Sequence, residues 1–365
     1  MTKHNPYNER IKRQYFTYLQ DAQSYSEATV DAVAKALARF EDDTKYKDFK
    51  AFHYEQARAF KRRLMEQRSQ QTGKPLSKAT SHATLAHLKR FFHWLAGQPG
   101  YKSRLQYADA DYFNMSAKDT RVATARRESR TPTLEQVRHV INAMPDKTEI
   151  ERRDRALLAF TLLTGARDSA IASMRLKHVD LERQCVYQDA REVRTKFSKT
   201  FNTHFFPVGD SVRAIVEEWV TWLRVEMLWG ADNPLFPATR VALGPSRRFE
   251  AAGLTRATWS SAGPIRGIFR RAFANAGLSY FNPHSFRHTL VQLGEELCRS
   301  PEEFKAWSQN LGHEGVLTTF YSYGAVPVGR QSDIMRLLGA SKSDKPIDRA
   351  KTLAEIRQLL DAVEA

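Results

Sequence analysis

Apolar residues recur at helical spacing through the first hundred residues, and that periodicity points to an all-α arrangement there. Ile11, Tyr15, Phe16 and Leu19 share one face of a helix expected over 8–20. A second helix is expected after Ser26 and a third over 49–68. A fourth begins near Ser77, carries Leu85, Leu88, Phe91, Phe92 and Leu95, and is stopped by Gly97. Residues 99–130 lose the periodicity and end in RVATARRESR, just before Thr131-Pro132. This basic stretch reads as a linker, either a solvated tether or a strap along a phosphate backbone.

Beyond it the pattern changes. TLEQ at 133–136 fits a helix-opening capping box, and the apolar helix of RALLAFTLLTGAR runs to Gly165. Three short stretches, QCVYQDA, VRTKF and THFFPV, alternate like strands across a polar turn. Helices return to the end, among them SPEEFKAWSQNL, with Ser300, Pro301 and Glu303 at its start. Leu353, Ile356, Leu359, Leu360 and Val363 form the apolar stripe of a last helix. The fold expected is mainly α with a small β-sheet, and 365 residues suffice for two domains.

Charge narrows the partner. Fifty-seven basic residues against 41 acidic ones give a net +16. Residues 1–130 hold 25 basic and 14 acidic side chains, and 58–90 hold nine and one. So uneven an excess suggests a polyanion, DNA or RNA before membrane. No apolar run reaches eighteen residues, and MTKHNPYNERIKRQ has no apolar signal core, so neither a membrane span nor secretion is expected. Cys185 and Cys298 match no metal spacing and read as reduced thiols of a cytoplasmic protein.

One decapeptide raises a chemical question. FNPHSFRHTL places His284, Arg287 and His288 within two turns of a helix opened by Pro283, with no carboxylate among them. An anion is the missing partner. The other polar landmarks are Arg167 after TGA, Lys196 and Lys199 in RTKFSKT, and His313, Tyr321 and Tyr323 in NLGHEGVLTTFYSYG. Taken singly, each has a dull explanation as cap, solvated turn or packing. In this order, Arg, Lys, His-x-x-Arg, Gly-His and Tyr, the series resembles the tyrosine recombinase (phage integrase) family: TGAR is similar to its T-G-L-R box, HSFRHT to H-x-L-R-H-T, and LGHEGVLTT to L-G-H-x-x-x-x-T-T.

The resemblance implies a helical core-binding domain at 1–117, a basic linker at 118–130, an α+β catalytic domain at 131–340 and a C-terminal tail and helix at 341–365. That last helix would dock in cis or be exchanged between protomers. It implies DNA cutting and rejoining through a 3′-phosphotyrosyl ester, with four protomers on two duplexes and use in integration or excision of a mobile element. Arg167 and Arg287 would grip the phosphate through forked, charge-assisted hydrogen bonds. His284 would take the phenol proton, Lys196 (preferred over Lys199) would protonate the leaving 5′ oxygen, and His313 would bond the phosphate or steady the site. Neither metal nor nucleotide cofactor is implied. Arg58, Lys61, Arg62, Arg63, Lys78, Lys89, Arg121, Arg126 and Arg127 are the candidate DNA contacts.

The chain departs from the family pattern twice. Ala170 stands where many members carry a Glu, leaving Asp168 as a candidate support for Arg167. The usual nucleophile position, nine residues past the Gly-His histidine, is Ser322; Tyr323 is preferred and Tyr321 is the alternative. A type IB topoisomerase would use the same chemistry, and an inactive DNA-binding protein would keep the fold without it.

Overall fold

The computed structural model describes residues 4–69, 73–125, 130–244 and 247–313, and the chain divides into two compact units between residues 127 and 128. The first is helical: α1 (Pro6–Thr17), α2 (Glu27–Asp43), α3 (Tyr54–Glu66), α4 (Lys78–Ala96), α5 (Tyr107–Asp111) and α6 (Ala117–Thr124). Local chemistry sets the helix starts. Asn5 accepts from the amides of Tyr7 and Asn8 ahead of Pro6, and Ser77 accepts from that of Thr80. The core is rich in phenyl rings, with Phe52 stacked on Phe92 at 3.7 Å and Phe40 meeting Phe60 and Phe92 edge-on at 5.2 Å.

The expected linker starts too early. Residues 117–124 form α6, because Ser116 caps it through the Asp119 amide and Asp119 pairs with Lys78 on α4. Arg126 and Arg127 lie outside the described residues.

The second unit is built around α8 (Glu149–Thr164), whose residues from Ala156 to Thr164 are all buried. A helix apolar on every side needs cover all round. Here α7 (Leu134–Ala143), α10 (Asp210–Val225) and α12 (Pro283–Leu297) supply it. The capping boxes at Thr133 and Ser300 form as the sequence predicts, opening α7 and α13 (Pro301–Asn310). Short α9 (Asp168–Ile171) follows α8, and α11 (Gly263–Asn275) precedes α12.

Strands β1 (Val179–Asp180), β2 (Cys185–Gln188) and β3 (Phe201–His204) make an antiparallel sheet in that order, with Cys185 opposite His204 and Gln188 opposite Phe201. VRTKF is not a strand. Val193 is buried, and Phe197 and Ser198 adopt left-handed backbone at φ 60° and 50°, so 189–200 is one folded loop. A second hairpin, β4 (Thr239–Leu243) and β5 (Phe249–Leu254), was not anticipated; its arginine-rich, weakly alternating sequence carries little strand signal.

Candidate functional site

The site gathers where α8 and α13 end beside the start of α12. Gly165 closes α8 in the left-handed region, at φ 59°. A Cβ there would come within 2.9 Å of Leu290 and 3.0 Å of Leu311, so only glycine lets the chain leave the helix at this point. The turn sends Arg167 to the N-cap of α9.

Arg287 lies one turn into α12 and is 2% exposed. Its Nη1 donates to the Gly165 carbonyl and its Nη2 to the Leu311 carbonyl, each at 2.5 Å. Both carbonyls belong to helix C-termini, where the backbone dipole is negative. A buried guanidinium is thus held by the carbonyl ends of α8 and α13.

Nη2 of Arg287 also lies 3.1 Å from Nε2 of His313. Because the guanidinium can only donate, Nε2 accepts and the His313 proton belongs on Nδ1. Burial, then the charge of Arg287, pushes the His313 pKa down to about 4, with Arg167, His284 and Lys199 adding to the effect. His284 is likewise lowered to about 4 by burial first, then by Arg287, His288 and Arg167. The His284 and His288 rings meet edge-on at 5.3 Å. Two neutral imidazoles therefore stand among positive charges at neutral pH.

His313 is placed from the sheet side. The Asn310 side chain bonds to β3 as a further strand would: its Oδ1 accepts from the His204 amide at 2.6 Å and its Nδ2 donates to the His204 carbonyl at 2.9 Å. Gly312, at φ 71°, packs so closely that a Cβ would lie 2.7 Å from the Phe201 ring. Sequence reasoning missed Asn310 and Phe201, because contacts between residues a hundred apart leave no periodic trace.

The lysines separate. Lys196 is exposed, with its ammonium over the Phe197 ring at 4.8 Å from the centroid. Lys199 is half-buried, and its charge is one of those acting on His313. The left-handed turn at Phe197 and Ser198 lies between the two lysines. Asp168 bonds the Ser169 amide at 2.9 Å and Arg266 at 2.8 Å on α11. Tyr321 and Tyr323 lie outside the described residues.

In the first unit, Arg63 is bidentate to Asp43 at 2.6 Å, Lys78 pairs with Asp119, and Lys89 pairs with Asp111 at 2.8 Å. Lys61 donates to the carbonyls of Tyr112 and Asn114 at 2.8 Å. These four candidate DNA contacts thus have internal partners. Arg58, Arg62 and Arg121 are exposed, and Arg58 and Arg62 line a concave surface of the first unit with Lys61, Met65 and Tyr112.

The model of the phage integrase family matches residues 132–327. Tyrosine recombinase XerC of Lactobacillus delbrueckii subsp. bulgaricus is 24% identical over 318 residues, covering 85% of this chain and 92% of the relative. Tyrosine recombinase XerD of Neisseria meningitidis serogroup B is 26% identical over 191 residues, 52% of this chain and 57% of that one. Among solved structures, a lambda integrase dimer bound to a core site (residues 75–356) covers 88% of this chain and 99% of its own at 12% identity, with a TM-score of 0.58. Tn1549 transposon integrase in complex with transposon right end DNA covers 90% and 99% at 13% identity and a TM-score of 0.55. Sharing their mainly helical fold, and matched by the family model over more than half its length, the chain belongs to the phage integrase family and is a tyrosine-type site-specific recombinase.

Proposed function

We propose that the protein cuts and rejoins double-stranded DNA through a 3′-phosphotyrosyl ester and serves the integration or excision of a mobile element. One observation carries the reading: a guanidinium buried to 2% exposure, held by backbone carbonyls and a neutral imidazole, in a cluster that also feels the charges of Arg167 and Lys199. Positive charge gathered in this way suits an anionic group such as a phosphate.

Arg287 and Arg167 grip the non-bridging oxygens of the scissile phosphate as charge gathers there. The Tyr323 phenol oxygen attacks phosphorus, its bond to phosphorus forms as the bond to the 5′ oxygen breaks, and its proton passes to His284. Lys199 gives a proton to the departing 5′ oxygen, while His313 offers Nδ1–H to the phosphate. An imidazole with a pKa near 4 is a weak base, but the arriving phosphodiester offsets the arginine charges that depress it, so His284 gains basicity when substrate is bound. Rejoining reverses these steps, and the ester preserves the phosphodiester free energy without a nucleotide.

Exchange between two duplexes calls for four protomers. This is supported by lambda integrase, which has been seen as a tetramer bound to a Holliday junction. A mobile-element role is supported by the likeness to a transposon integrase. Exposed Arg58, Arg62 and Arg121 would contact the phosphate backbone.

The test is covalent trapping. Genomic fragments selected by binding supply the target, and a nicked duplex of that sequence is offered to wild type, Tyr323→Phe and Tyr321→Phe. Adduct with wild type and Tyr321→Phe, but not with Tyr323→Phe, is expected. Loss only in Tyr321→Phe would move the nucleophile by two residues. Tight binding without any adduct from wild type would refute the chemistry, and bound fragments lying away from the ends of any mobile element would refute the finer role.

A further inference from the structure

The loop that carries Lys199 is long for a hairpin connection, which ordinarily has two to five residues. Left alone, residues 189–200 would move too freely to hold an ammonium beside a reacting phosphate. The structure anchors them from outside. The Ala190 amide donates to Thr200 Oγ1 at 3.0 Å, closing the loop at its base. The Arg194 amide donates to Ser173 Oγ at 2.9 Å, and its guanidinium donates to the carbonyls of Ser260 and Trp259 at 2.5 and 2.6 Å.

A further anchor is a carboxylate. Glu192 Oε1 lies 2.8 Å from Lys177 Nζ and Glu192 Oε2 lies 2.9 Å from His178 Nε2. His178 is 3% exposed, and its Nδ1 accepts from the Arg175 amide at 2.9 Å, which puts its proton on Nε2, facing Glu192. Lys177 also reaches Asp232 at 2.9 Å. The next residue, Val193, is 1% exposed, and its amide donates to the Asp189 carbonyl at 2.7 Å. Glu192 is therefore fastened to a rigid segment and hands a fixed direction to the chain leading to Lys199.

We propose that Glu192 is a positioning residue for the recombination chemistry: clamped by His178 and Lys177, it fixes the 189–200 loop so that the Lys199 ammonium meets the leaving 5′ oxygen. This rests on the reading of Lys199 as the proton donor. An anionic side chain cannot itself grip a phosphate, so any effect of Glu192 on cleavage must be transmitted through the loop.

The experiment uses the full-length chain and two versions of the selected nicked duplex, one ordinary and one with sulfur replacing the bridging 5′ oxygen. A thiolate leaves without a proton, so the sulfur duplex makes the acid unnecessary. Lys199→Ala should cleave the ordinary duplex about 10²–10⁴-fold more slowly and recover on sulfur. Glu192→Ala should lose about 10–100-fold on oxygen, as a displaced donor does, and recover on sulfur as well. Lys177→Ala, which removes only the exposed half of the clamp, should show a smaller defect with the same recovery. Glu192→Gln, which keeps an acceptor for His178, should stay close to wild type on both. Should Lys199→Ala fail to recover on sulfur, the reading of Lys199 as the acid is wrong. If Lys199→Ala recovers while Glu192→Ala is equally slow on both duplexes, or as fast as wild type on both, the positioning role is overturned.

Discussion

Gly312→Ala separates backbone strain from close packing, and the molecule contains its own control. Gly312 and Gly277 both sit in the second unit with left-handed backbone, at φ 71° and 70°. A Cβ on Gly277 meets nothing within 4 Å, whereas one on Gly312 would lie 2.7 Å from the Phe201 ring. An L residue in this conformation costs about 1–2 kcal/mol. Alanine also stiffens the unfolded chain, which offsets about 0.4–1 kcal/mol of that. Gly277→Ala should therefore cost about 1 kcal/mol or less. Gly312→Ala carries the same backbone cost plus the overlap with a ring fixed at the start of β3, typically about 1–3 kcal/mol, for a total of about 1–4 kcal/mol. The readout is urea denaturation followed by tryptophan fluorescence, since five of the six tryptophans lie in the second unit. Relief of the overlap must also displace the residue next to His313, so covalent adduct formation should slow about 10-fold or more in Gly312→Ala and stay unchanged in Gly277→Ala. Equal stability of the two variants would refute the packing argument. A stability loss with an unchanged cleavage rate would refute the claim that this contact places His313.

Two further outcomes follow from charge. His284 and His313 are held near pKa 4, against about 6.5 in an unfolded chain, so the unfolded state takes up protons first as pH falls. Stability should be lost progressively from about pH 6.5 down to about 4, and a His284→Asn/His313→Asn double variant should flatten that part of the curve, read as Tm against pH. In DNA binding, Arg58→Ala and Arg62→Ala should each lower the slope of log affinity against log salt by about one. Arg63→Ala, whose guanidinium is already paired with Asp43, should leave the slope nearly unchanged.

Local chemistry wrote much of this protein openly. Helix starts at Ser77, Thr133 and Ser300 need only a side-chain oxygen and the amide two or three residues on, so sequence alone determines them. The apolar faces of α1, α2, α3 and α4, and the apolar C-terminal half of α8, are likewise local patterns, as is the order Arg167, His284, Arg287 and His313. Tertiary structure decided the rest, because the deciding contacts join residues far apart in the chain. Arg287 reaches Gly165 across 122 residues, and Asn310 reaches His204 across 106. Strand pairing, the end of α6, the internal partners of Lys61, Arg63, Lys78 and Lys89, and the different burial of Lys196 and Lys199 all depend on what the fold brings alongside. A residue's type states which bonds it can make; only packing states which partner is there to make them, and how much water is left to compete.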